Sequence, residues 1–224
     1  MKLKLTTGIE IDQPLQLIST YYKEHAHILY DILQVPLDNQ IDPACLSALA
    51  FFQSENPKLA DWRELWERKK ELEAPLCRIP AELSLVESDI PWDSLEDLFR
   101  GFLDLNGFRV SRASKILHKK RPYLIPILDE RRVVKTFYAA ALKQWISALN
   151  EFLAQHGQKY RMSKDAAAKT ARAAVYLVRE LREDILQNLN VLQEIKQELD
   201  TNSLKLSLVR IFDIILWEYA PKLP

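Results

Sequence analysis

The chain has 224 residues, 48% hydrophobic and 28% charged, with 31 basic and 31 acidic side chains in balance. Those proportions exclude a disordered chain, and apolar runs as short as residues 214–217 exclude a membrane-spanning helix. Two cysteines without metal-ligand spacing exclude a disulfide framework, and the first seven residues lack the apolar stretch of a secretory leader, so a cytoplasmic location is expected.

Four glycines argue against a hairpin-rich sheet protein, and helical periodicity broken by prolines dominates. Residues 2–11 are the only strand material and are expected to pair with the proline-marked passage 75–92. A helix is expected over 15–35, stopped at Pro36. Asp42 and Pro43 read as N-cap and first-turn proline of a helix through residue 52. Residues 58–74 place Trp62, Leu65, Trp66 and Leu72 on one face. Residues 93–104 set Leu95, Leu98, Phe99 and Phe102 at i, i+3, i+4, i+7. Asn106-Gly107 supplies a turn, and 110–119 a short helix. Residues 131–155 and 163–199 read as long helices, the second with room for one bend. The last helix, 203–219, is apolar on most sides and therefore buried. The expectation is one nearly all-α domain over 1–224 with a minor strand pair.

Residues 105–135 depart from the overall balance. They hold nine Lys/Arg against Asp129 and Glu130, an excess of seven positive charges that the rest of the chain cancels. A local excess of that size points to an anionic partner, nucleic acid first. On the helix 110–119, Val110, Ala113 and Leu117 turn inward, which places Arg112, Lys115 and Lys119 on one exposed basic stripe. Ser111 and Ser114 flank it as donors to phosphate oxygens, and His118, Lys120 and Arg121 extend it. Gly107 and Arg109 sit where a turn meets a helix N-terminus, a physically sensible place for phosphate.

This segment resembles the helix-hairpin-helix DNA glycosylase superfamily, in which a Leu-Pro-Gly-x-Gly hairpin precedes a helix and an essential aspartate follows in a Val-Pro-Val-Asp-Thr-His-Val-like turn. Leu105-Asn106-Gly107-Phe108-Arg109 falls on the hairpin, and Ile125-Pro126-Ile127-Leu128-Asp129 falls on the turn. The resemblance covers about 93–135 and implies a glycosylase-like helical core with Asp129 at the aspartate position. Ser111, eighteen residues earlier, takes the place of the family's catalytic lysine. Arg109 replaces the second hairpin glycine and Asn106 the proline. Ser111 cannot form a Schiff base, so what the resemblance leaves is base excision relying on a carboxylate.

A wider resemblance joins 42–52, 113–129 and 208–217. The block Ser114-Lys115…Lys120-Arg121-Pro122…Pro126…Asp129 and the run Leu208-Val-Arg-Ile-Phe-Asp-Ile-Ile-Leu-Trp217 look like a family of uncharacterised bacterial proteins.

Each feature also has a plainer reading. Asp129 before a helix is an ordinary N-cap, worth about 1 kcal/mol. Lys119, Lys120 and Arg121 close a helix, where cations are favourable in any protein. Arg210 and Asp213, three apart on an apolar helix, read as a packing pair, unless Asp213 lines the same cleft as Asp129. His25 and His27, two apart, would point to different sides of a helix, so no metal site is expected, and no cofactor motif is present. Three functions follow as expectations: DNA binding through 107–121, base excision using Asp129, and a regulatory module whose basic patch meets an acidic partner protein or a second copy of the chain.

Overall fold

The computed structural model describes residues 1–25, 27–51, 59–139, 162–201 and 204–223. The chain opens with a two-stranded antiparallel hairpin, β1 (Lys2–Lys4) and β2 (Glu10–Asp12), in which Leu3 pairs with Ile11. The strand pair is therefore local to the N-terminus and does not use the 75–92 passage, whose residues 77–91 run as turns and irregular chain. A hairpin eleven residues from end to end closes at less entropy cost than a pairing some 70 residues away.

Helix α1 (Pro14–Glu24) starts on the proline at its first turn, and α2 (Ile28–Ile32) follows after a break. The single helix expected over 15–35 is thus two. His25 takes an extended conformation (φ −126°, ψ 138°) and turns the chain, so that aromatic groups of both pieces face the same interior. Next come α3 (Pro43–Ser47) with a 3-10 turn, α4 (Leu59–Glu67) and α5 (Lys69–Leu76), split at Arg68.

Helix α6 (Trp92–Leu103) buries Leu95, Leu98, Phe99 and Phe102, as the periodicity requires, each stabilising by about 2 kcal/mol. It approaches α5 so closely that a Cβ on Gly101 would stand 2.9 Å from Leu72 Cδ2. Gly107, at φ 72°, makes the left-handed turn into α7 (Val110–Lys120).

After Asp129 the chain forms a single π-helical turn (Glu130–Val134) and α8 (Lys135–Phe137), then bends at Tyr138. Most of the helix expected over 131–155 lies outside the described residues. Helix α9 (Lys164–Gln187) is capped by Ser163, whose Oγ accepts the Ala166 N–H at 3.2 Å, and it lays Ala167, Ala171, Ala174, Val178 and Leu181 along its buried side, packing on α6. It ends at Asn188, and α10 (Leu189–Thr201) continues after that one break.

Asn188 explains the interruption. Its amide accepts the Lys4 N–H at 2.9 Å and donates to the Lys4 carbonyl at 2.8 Å, standing in for a strand beside β1. Helix α11 (Leu208–Tyr219), capped by Ser207, is buried along most of its length and packs against α1. It begins five residues later than the periodicity suggests, after Ser207, whose Oγ accepts the Arg210 N–H at 3.0 Å. The main core is a continuous apolar cluster running from the hairpin to α11, with Tyr30 and Ile127 forming a small second one. Among the described residues, no helix is long and apolar enough to cross a membrane.

Candidate functional site

The expected exposed basic stripe is not exposed. Ser114, Lys115, His118, Lys119, Lys120 and Arg121 are all buried. The cause is the irregular stretch 33–42, where carbonyl groups outside helix and sheet need donors. Lys119 Nζ donates to the carbonyls of Tyr30 and Leu33. Lys120 Nζ donates to the Pro36 carbonyl and to Asp38 Oδ1, both at 2.7 Å. Arg121 serves Leu76 and Ile79, carbonyls at the end of α5, at 2.8 and 3.0 Å, and also Asn39 Oδ1. Burial brings the Lys119 amine down to about 8. His118 Nδ1 is 2.6 Å from the Ile125 carbonyl, so the imidazole carries its proton there. His118, Lys119, Lys120 and Arg121 thus tie α7 to the loops around it.

Gly107, Arg109, Ser111 and Arg112 are half-buried at the hairpin. Arg112 Nη1 donates to the Gly107 carbonyl at 2.7 Å, and its guanidinium lies over Phe108. The Asn106 N–H donates to Glu64 Oε2 at 3.0 Å. A carboxylate of α4 therefore holds an amide of the turn that leads into α7.

Asp129 does cap a helical turn: Oδ1 accepts the Arg132 N–H at 2.8 Å. Ser114 positions that turn from beneath, accepting the Leu128 N–H at 3.0 Å while donating to the Ser111 carbonyl. Asp129 remains half-buried rather than sealed, and its Oδ2 faces the Trp217 indole N–H at 3.4 Å. The Arg132 guanidinium lies 3.6 Å over the Trp217 ring, and Tyr21, His25 and His27 meet that ring edge-on. The two histidines do not diverge, because the chain leaves the helix at His25. Their rings stack at 5.4 Å.

One turn before Trp217 lies a buried network. Arg210 Nε and Nη2 reach the two oxygens of Asp31 at 2.7 and 3.1 Å, while Nη1 reaches Asp213 and Nη2 also donates to the Tyr21 hydroxyl at 2.7 Å. Tyr22 donates to Asp31 at 2.9 Å. Burial works against the Arg210 charge, but Asp31, Tyr21 and Asp213 outweigh it and hold the group firmly protonated. Burial raises Asp213 to about 7 against the pull of Arg210, with the charges of Asp31 and Asp129 adding to the rise. Burial also brings His27 down to about 4, assisted by Arg210.

On its other side the network borders a cleft of about 620 Å³ whose walls include Asp31, Lys119, Tyr123, Lys205, Ser207 and Arg210. His118 and Lys119, expected on an outer stripe, line this cleft instead. Of the residues around Asp129, sequence reasoning marked Arg210 and Asp213 but missed Tyr21, His27, Asp31 and Trp217. The signal for Trp217 was its place at the end of the Leu208–Trp217 block. Asp31 carried none, since its partner lies 179 residues away.

Residues 15–220 match the model of a family described as a family of unknown function (DUF6308). Comparison with curated proteins and with solved structures found no match.

Proposed function

We propose, for a chain that belongs to the family of unknown function DUF6308, that it acts on nucleic acid at Asp129 rather than through the basic segment 115–121. The observation that carries this reading is the placement of Asp129. It stands half-exposed at the start of a helical turn, eighteen residues after Ser111, with an indole edge and a guanidinium beside it. A carboxylate there is suited to stabilising positive charge that develops on a sugar carbon as a base departs. The Arg132 guanidinium, stacked on Trp217, offers its outer plane to an unstacked base. Arg109 and Arg132, half-buried, and Lys135, exposed, are the cations assigned to phosphate, whereas the half-buried Arg112 is engaged with the Gly107 carbonyl. With no lysine at position 111, the chemistry is base removal without a Schiff base.

Two measurements test this. Duplexes carrying a panel of damaged and mismatched bases are expected to yield abasic product with wild type and none with Asp129→Asn, while duplex affinity stays within about twofold. Affinity is expected to fall with salt and to weaken in Arg109→Ala and Arg132→Ala. No product on the panel, together with no salt-dependent binding, overturns the reading. The alternative of an acidic partner or self-association through the basic patch loses its premise, because Lys115, Lys119, Lys120 and Arg121 are internal.

A further inference from the structure

The end of the α1/α11 pair gathers a second group of side chains with no role in the reading above. Glu24 closes α1, His25 follows it in an extended conformation, and Glu218 lies in the last turn of α11. One ligand atom from each of Glu24, His25 and Glu218 lies within 4.8 Å of the other two. His25 Nε2 and Glu218 Oε2 are 3.6 Å apart. That separation is too long for a hydrogen bond, whose N···O distance runs to about 3.2 Å. It is close to the spacing of two atoms bound to one small cation through bonds of about 2.0–2.2 Å.

Glu218 adds an independent sign. It is only 8% exposed, and Oε2, buried from solvent, has no hydrogen-bond partner. A protonated His25 would pair with this oxygen by charge, but without a hydrogen bond a buried carboxylate oxygen still costs on the order of 1–3 kcal/mol, which a bound cation would offset. The oxygen points at the His25 ring nitrogen. Around the group, Trp217 meets the His25 ring edge-on at 4.9 Å and His27 stacks on it at 19°. This packing fixes the imidazole plane, as the surroundings of metal-bound histidines do.

We propose that Glu24, His25 and Glu218 form a site for a divalent first-row metal ion, with Glu218 and His25 as the inner pair and Glu24 closing from solvent. One imidazole and two carboxylates suit Zn²⁺ or Mn²⁺. Three protein ligands leave coordination positions for water, the pattern of an exchangeable or catalytic ion rather than a closed structural one. The site is separate from the Asp129 reading and stands or falls without it, although Trp217 borders both.

Calorimetric titration of chelator-treated full-length protein with Zn²⁺ tests the proposal, in a Cys77→Ser background so that the exposed thiol does not compete. One equivalent is expected to bind, with affinity weakened about tenfold or more in His25→Ala and in Glu218→Gln. Asp200→Asn, which removes an acid paired with Lys196 elsewhere, is expected to bind as the parent does. Circular dichroism confirms that each variant folds, and Glu218→Gln, nearly isosteric, covers the case in which His25→Ala does not. Absence of stoichiometric binding by the parent overturns the site, as does parental affinity in folded Glu218→Gln.

Discussion

Arg210 and Asp31 form a two-pronged ion pair, Nε to Oδ1 at 2.7 Å and Nη2 to Oδ2 at 3.1 Å, with side chains 5% and 2% exposed. It joins the first helical segments to the last across 179 residues. Removing the cation alone strands two carboxylates in the interior. Arg210→Ala is expected to destabilise by about 3–5 kcal/mol in urea unfolding. Arg210→Lys is expected to recover little, since an ammonium cannot span both oxygens while also reaching Asp213 and Tyr21. A cost below about 1 kcal/mol for Arg210→Ala would show that the pair is not what holds α11 to α2.

Arg121 is expected to behave as a structural residue. It is fully buried and donates to the carbonyls of Leu76 and Ile79. Arg121→Ala is expected to cost about 3 kcal/mol or more, because each buried carbonyl left without a donor costs about 1–3 kcal/mol. The loss is expected to be independent of salt. A variant that keeps full stability and instead weakens duplex binding with a reduced salt slope would return this residue to the nucleic-acid surface.

Acid sensitivity follows from the buried histidines. Burial holds His118 down to about 3, with the Arg210 charge adding and the Ile125 carbonyl opposing. Its folded value lies below the unfolded value of about 6.5, so between the two the unfolded chain binds the extra proton. Its stabilising contribution is complete above about pH 6.5 and is lost as pH falls toward 3. His27 acts in the same direction down to about 4. Asp213, raised to about 7, acts oppositely: the folded chain keeps its proton longer, and stability falls as pH rises from about 4 to 7. Unfolding of wild type and His118→Gln at pH 7 and pH 5 isolates one group. The variant's deficit is expected to shrink by about 2 kcal/mol at the lower pH. An equal deficit at both would remove His118 as a source of acid lability.

Asn188 is expected to control the N-terminal hairpin locally. Asn188→Ala removes both bonds to the Lys4 backbone and is expected to cost about 2 kcal/mol. Hydrogen exchange is expected to accelerate at the Lys4 amide, while the buried α6 amides slow or quicken only with global stability. Unchanged exchange at Lys4 would mean that pairing with β2 suffices alone.

Periodicity located most described helices because a helix buries a face its own residues define. Leu95, Leu98, Phe99 and Phe102 needed no knowledge of α9 to be placed inward. The breaks were harder to see. Arg68 and Asn188 interrupt helical patterns for partners far along the chain: Arg68 reaches Asp104, and Asn188 reaches Lys4. The helix start at Ser207 and the cap at Asp129 were readable in kind, since cap chemistry is local, although the first was misplaced by several residues.

Charge was the opposite case. The basic segment was plain in the order of residues, but a lysine next to solvent and a lysine beneath a loop have the same letter. Whether Lys119 and Lys120 met phosphate or carbonyl depended on residues 30–38 folding over α7, a contact more than 80 residues long. The linear order thus fixed the helical class, the turn at Gly107 and Asp129 as a cap, all features of neighbouring residues. Long-range packing alone set which cations are buried, why Asp31 and Arg210 meet, and that Trp217 leans on Asp129. A chain cannot announce the donors that its distant loops will require.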